Sequence, residues 1–130
     1  MCKLTPIQTT DVESVWPEAS RSLARAIIYD DFNTIDDVLL KIKSEQSQLF
    51  LCNETWIVTR INKTIAGLKL TVWLVSGEIT PQECFESVLF KLEQYAKYLG
   101  CVAVNVNGRQ GWAKKLKQYK IKSITLERRL

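Results

Sequence analysis

Apolar and polar positions along this chain change period several times. From Asp11 to about Ile28, the residues Val12, Val15, Trp16, Ala19, Leu23, Ala26 and Ile27 recur at three- and four-residue steps, the stripe of an amphipathic helix. Pro17 has no amide hydrogen and is tolerated in a first helical turn, which predicts that the regular helix starts near Trp16. Thr34 is placed to cap a second helix with Asp37 three residues on, and Ile35, Val38, Leu39 and Ile42 form its apolar face. Asp36 and Asp37 then sit in the first turn, where carboxylates complement the helix dipole.

The period then shortens to two. Leu49–Cys52, Trp56–Ile61 and Leu68–Val75 are rich in β-branched and aromatic residues and are separated by short polar connections, which predicts an antiparallel meander. In the third of these strands Leu68, Leu70, Val72 and Leu74 alternate with Lys69, Thr71, Trp73 and Val75, so one face reads as wholly apolar and the other as mixed. A weaker strand is expected at Leu4 to Thr9.

Thr80-Pro81-Gln82-Glu83 reads as a capping box with proline at the first helical position. The helix it opens carries Phe85, Val88, Leu89, Leu92, Tyr95, Ala96 and Leu99 on one stripe and stops at Gly100. Val102, Val104 and Val106 alternate with Ala103, Asn105 and Asn107 as a further strand, followed by a Gly108 to Gly111 turn and a short basic helix with Trp112 and Leu116 turned to the core. Trp112 is expected against the long helix near Leu92 and Tyr95. Ile121 to Leu130 supplies a last strand. With 130 residues and no repeat or linker, the chain reads as a single domain, 1–130.

Composition narrows the chemistry. The chain contains no histidine, which removes Ser/His, Cys/His and His-metal constellations. Its four cysteines, Cys2, Cys52, Cys84 and Cys101, are scattered without a C-x-x-C pair, so no metal site is expected, and Cys52 and Cys101 read as packing residues in strands. No apolar run is long enough for a membrane span, and the N-terminus lacks the apolar region of a signal peptide, so the expected location is the compartment of synthesis or a particle packaged there. The net charge of +4 is local: residues 109 to 130 hold eight Lys/Arg against Glu127 alone. Such a segment suits nucleic acid, an acidic protein surface or a cofactor phosphate.

In order of elements, and above all from Gly100-Cys101 to Leu116, the chain resembles the GNAT acyltransferase fold. The Gly108-Arg109-Gln110-Gly111-Trp112 turn, after a strand introduced by Gly-Cys, is similar to the short GNAT-like proteins of tailed bacteriophages, several of them virion or internal virion proteins. The resemblance implies an α/β (α+β) fold with a mostly antiparallel sheet of six to seven strands and about four helices. It also implies acetyl-CoA as the cofactor of an active enzyme, cradled by the loop before the third helix. That loop is here Ser76 to Pro81, where Glu78 opposes phosphates and Pro81 removes an N–H donor. At ~4 Å two like charges repel by roughly 1 to 4 kcal/mol.

The tyrosine that protonates the departing thiolate in such enzymes is replaced in register by Lys117. Tyr119 lies two residues on, about 200° round a helix, and becomes the weak candidate acid. Glu78 and Glu54 are candidate bases by position. The leading expectation is therefore a catalytically inactive protein that contacts other virion or host proteins, with Trp73, Arg109, Trp112 and Lys117 as candidate interaction residues. The alternative is an N-acetyltransferase holding acetyl-CoA in a non-standard way through Arg109, Lys114 and Lys115. A third reading is nucleic-acid binding through residues 109–130.

Overall fold

A computed structural model describes residues 3–27, 33–76, 82–106, 119 and 128, without the side chains of 82–85. Its elements are β1 (Leu4–Ile7), a 3₁₀ turn (Thr9–Asp11), α1 (Val12–Ile27), α2 (Ile35–Lys43), β2 (Ser47–Cys52), β3 (Thr55–Thr64), β4 (Gly67–Val75), α3 (Gln82–Tyr98) and β5 (Cys101–Val106). The strands form one sheet in the order β1-β2-β3-β4-β5, antiparallel except for the parallel pair β4–β5. This α+β architecture meets the fold-class expectation with five strands and three α-helices among the described residues. The further helix and strand expected after Asn107 lie outside them.

Helices cover both faces of the sheet. α1 and α2 bury Val12, Ala19, Leu23, Ile27, Val38 and Ile42 against Leu49, Trp56, Val58, Trp73 and Leu74. On the other face α3 buries Val88, Leu89, Leu92 and Ala96 against Phe50, Cys52, Ile57, Leu70 and Val72. The alternation along β2 and β3 assigns successive residues to the two cores, as the pleat requires. Each fully buried Leu such as Leu23 or Leu92 is worth about 1.5 to 3 kcal/mol of transfer free energy.

Two helix starts can be compared with their sequence signals. At α2 the capping box is present: Thr34 Oγ1 accepts from Asp37 N at 3.3 Å, and Asp37 Oδ2 accepts from Thr34 N at 2.7 Å. α1 differs from expectation by starting at Val12, four residues before Trp16, with Pro17 inside the helix. The preceding 3₁₀ turn runs straight into it, and Val12 is fully buried, so burial of the first turn outweighs the one backbone hydrogen bond that proline cannot donate.

The strict alternation read for the third strand also fails, at one residue. Val58 faces Leu74 and Thr59 faces Val72, so Trp73 is the extra residue of a β-bulge. The bulge puts Trp73 and Leu74 together on the α1/α2 face and returns Val75 to the α3 face. A second register shift in β5, where Leu68 faces Cys101 and Lys69 faces Ala103, makes Val102 the extra residue there. Val102 is accordingly 59% exposed, while Val104 and Val106 pack toward α3.

Candidate functional site

The parallel pair β4–β5 leads to the carboxyl end of β4, just before α3. Pairing runs from Leu68 opposite Cys101 to Val72 opposite Val106 and ends at the Trp73 bulge. β4 continues through Trp73, Leu74 and Val75, which have no β5 partner among the described residues. Their other edge is closed: Ile57 pairs with Val75, Ser76 N donates to Trp56 O at 2.8 Å, and Ser76 Oγ accepts from Trp56 N at 2.7 Å. Backbone groups on one side of β4 are thus paired within the sheet, while those on the β5 side beyond Val72 have no strand partner among the described residues. The carboxyl ends of parallel strands, with a helix starting just after one of them, are where open α/β sheets place ligands.

Tyr119 packs against the α3 core, and its hydroxyl donates to Glu93 Oε2 at 2.7 Å. Burial and the adjacent Glu93 carboxylate push the phenol well above its ordinary range, so it stays protonated. Glu93 lies eleven residues into α3, about 16 Å along the axis from its first residue. The hydroxyl is therefore committed to a carboxylate more than two helical turns from the start of α3. No sequence pattern pairs Glu93 with Tyr119; Glu93 simply falls on the polar side of the α3 stripe.

Trp73 is not an exposed anchor. It is 6% exposed and belongs to the core beneath α1 and α2, which corrects its reading as an interaction residue. The bulge turns its ring inward, and the cations Arg60 (Cζ 4.5 Å from the ring centroid) and Lys41 (Nζ 5.0 Å) sit over it. Glu54 lies in the exposed β2–β3 turn, solvated. Glu78, Arg109, Trp112, Lys114, Lys115 and Lys117 fall outside the described residues, as does the phosphate-loop segment 77–81.

Cys52 is buried and Cys101 half-buried, and burial pushes both thiols up, which keeps them protonated and poor nucleophiles. Among the described residues, no three His, Cys, Asp or Glu side chains gather as a metal site would require. No described helix is long and apolar enough to cross a membrane.

No family model matches the chain, and no curated protein matches its sequence. Solved structures do match in shape. An aminoglycoside acetyltransferase, meta-AAC0020 from an uncultured soil metagenomic sample, solved with sisomicin, superposes with a TM-score of 0.73 at 9% identity, over 99% of this chain and 96% of that one. The ribosomal-protein-alanine N-acetyltransferase of Brucella melitensis gives 0.68 at 9% identity, over 100% and 99% of the two chains. Glucosamine-6-phosphate N-acetyltransferase from Arabidopsis thaliana gives 0.66 at 14% identity, over 99% and 98%. Identities this low speak for the fold alone, and the fold is GNAT-like.

Proposed function

We propose that this chain is a GNAT-fold protein that does not transfer acyl groups and works through contacts with other proteins, in a phage particle or on a host protein. The observation that carries the reading is the Tyr119 hydroxyl. In acyl transfer from a thioester to an amine, the departing thiolate needs a proton donor within reach. Tyr119, the tyrosine nearest the expected position, gives its hydrogen bond to Glu93 instead, and Lys117 occupies the register where a tyrosine would stand. Glu78 and Pro81 add to this by disfavouring a pyrophosphate ahead of α3. Arg109, Trp112 and Lys117, in the basic segment that follows β5 in sequence, are the residues assigned to partner contact, and the likeness of the Gly108–Trp112 sequence to phage GNAT-like proteins supports a virion-associated role.

A second reading is favoured by one observation: β4 beyond Val72 has a backbone edge with no β5 partner among the described residues. An N-acetyltransferase would seat the pantetheine arm of acetyl-CoA along that edge, with Arg109, Lys114 and Lys115 meeting its phosphates. Calorimetric titration with acetyl-CoA, together with a free-thiol assay over a panel of amines, separates the two. Binding weaker than about 1 mM and no thiol release are expected. Micromolar binding with amine-dependent release of CoA would replace the first reading by the second. Mass spectrometry of purified particles from the source tests the virion assignment.

A further inference from the structure

β3 and β4 outrun β2 at one end of the sheet. Pairing of β3 with β2 ends at Arg60 opposite Ser47, whereas its pairing with β4 continues to Thr64 opposite Gly67. At about 3.3 Å per residue, the tip of this hairpin reaches roughly 13 Å beyond the start of β2. Thr64 Oγ1 donates to Gly67 O at 2.6 Å and closes a turn whose two central residues are Ile65 and Ala66. Turns of this length favour Asn, Asp or Gly, whose short side chains suit the bend. Ile65 instead places a β-branched side chain there and buries nothing with it: it is 109% exposed, and Ala66 beside it is exposed as well. A residue that breaks turn chemistry without a gain in packing points to something outside the fold.

The same end gathers more apolar surface. Leu68 faces Cys101, so the start of β5 lies beside the start of β4, and Val102 Cγ1 stands 2.9 Å from where a Cβ on Gly67 would lie. Tyr98, the last residue of α3, comes three positions before Cys101 and is exposed. Ile65, Tyr98 and Val102 are thus three of the five large apolar side chains left exposed among the described residues. Lys63 and Lys69 bracket the turn. Lys63 faces Leu68 and Lys69 faces Asn62, which puts one lysine on each face of the hairpin. Lys97 adds a third cation at the end of α3. None of these lysines forms an ion pair among the described residues, and neither 61–75 nor 94–106 contains an acid. Glu45, two residues before Ser47, stands at the foot of the overhang and not at its tip.

The shape and charge of this end select the partner. A convex apolar tip between cations matches the boundary of a bilayer, where apolar side chains enter the acyl region, tyrosine sits at headgroup level and lysine meets lipid phosphates. We propose that this end of the molecule docks on an anionic lipid surface. Ile65 and Ala66 enter first, Tyr98 and Val102 lie at the interface, and Lys63, Lys69 and Lys97 pair with the headgroups. Attachment through one small tip and three lysines is peripheral and reversible. The proposal is independent of the function proposed above, since it uses neither Tyr119 and Glu93 nor residues 109–130.

The test is sedimentation of the full chain with vesicles of phosphatidylcholine alone, or containing about one third phosphatidylserine, at low salt. Expected is binding to the anionic vesicles alone, lost at about 1 M salt, where screening shortens the reach of each charge to about 3 Å. Ile65→Ser should weaken binding at least about tenfold while leaving the Tm unchanged. Lys63→Gln and Lys69→Gln should each weaken it about fivefold. Absent binding, or equal binding to neutral vesicles, would overturn the proposal. So would binding indifferent to Ile65→Ser, which would place the adsorption elsewhere, as on the basic segment 109–130, and so would a Tm lowered by Ile65→Ser, because the side chain would then serve the fold. Soluble polyglutamate is the last probe: if it binds with the same dependence on Ile65, the surface takes an acidic protein and not a membrane.

Discussion

The Tyr119 and Ser76 side chains each hold one hydrogen bond whose loss has different consequences. Tyr119 is half-buried and donates to a carboxylate, so Tyr119→Phe should cost about 1 kcal/mol in urea denaturation at neutral pH. Its phenol is raised above the ordinary value of 10, so the folded state holds that proton more tightly than the unfolded one. The associated stability is full below about pH 10 and is lost as the pH rises beyond it. Ultraviolet difference titration should accordingly show a tyrosine whose ionisation is delayed well beyond pH 10 and is lost in Tyr119→Phe; all tyrosines ionising together near pH 10 would refute the Glu93 contact. Ser76 is 1% exposed and its Oγ is the acceptor for Trp56 N, so Ser76→Ala leaves a buried N–H unpaired. A loss of about 1 to 3 kcal/mol is expected, larger than for Tyr119→Phe, because no water reaches the orphaned donor.

At the level of elements, two positions oppose local preference to tertiary packing. Gly67 opens β4 with φ +133°, and a Cβ built on it would lie 2.9 Å from Val102 Cγ1. Gly67→Ala should therefore cost about 1 to 3 kcal/mol by thermal melting, and Val102→Ala on that background should recover only the steric part, because the φ strain remains. Full recovery in the double variant would show that the backbone tolerates a side chain there. Pro17 interrupts α1 after its first turn, where an alanine would restore the hydrogen bond to the carbonyl of Glu13. Pro17→Ala should raise the Tm, by an amount worth up to about 3 kcal/mol. An unchanged or lower Tm would mean that the proline's constraint on the unfolded chain, or its ring packing beside Trp16, matters more than the missing bond.

For the whole molecule, the sheet is shared by two cores that otherwise touch different helices. β2, β3 and β4 each give alternate residues to α1/α2 and to α3, so neither core survives the loss of the other's sheet. Leu23→Ala beneath α1 and Leu92→Ala beneath α3 should each cost about 2 to 5 kcal/mol and each keep a single cooperative transition. Tryptophan fluorescence, to which Trp16, Trp56 and Trp73 on the α1/α2 face contribute, should melt together with far-ultraviolet circular dichroism. Separate transitions in Leu92→Ala would show that the α3 face unfolds on its own.

Much of the architecture is written in local chemistry. The α2 capping box, the α3 stripe ending at Gly100, the meander of β2 to β4 and the strand after it were all readable, because capping and hydrophobic period act over a few residues and the helices and strands obey them. What period could not supply were the one-residue exceptions. The bulge at Trp73 and the shift at Val102 arise where neighbouring strands of different twist and direction must be matched, and each reverses which face the next residues occupy. That is why Trp73, placed by alternation on a mixed face, is a core residue under two cations. The site was legible to the same extent. The lack of histidine and the content of the 76–81 loop bounded the chemistry from composition alone, whereas the Tyr119–Glu93 bond joins residues 26 apart. That bond depends on how distant parts of the chain lie against one another, which is a property of the packed chain and not of any stretch of it.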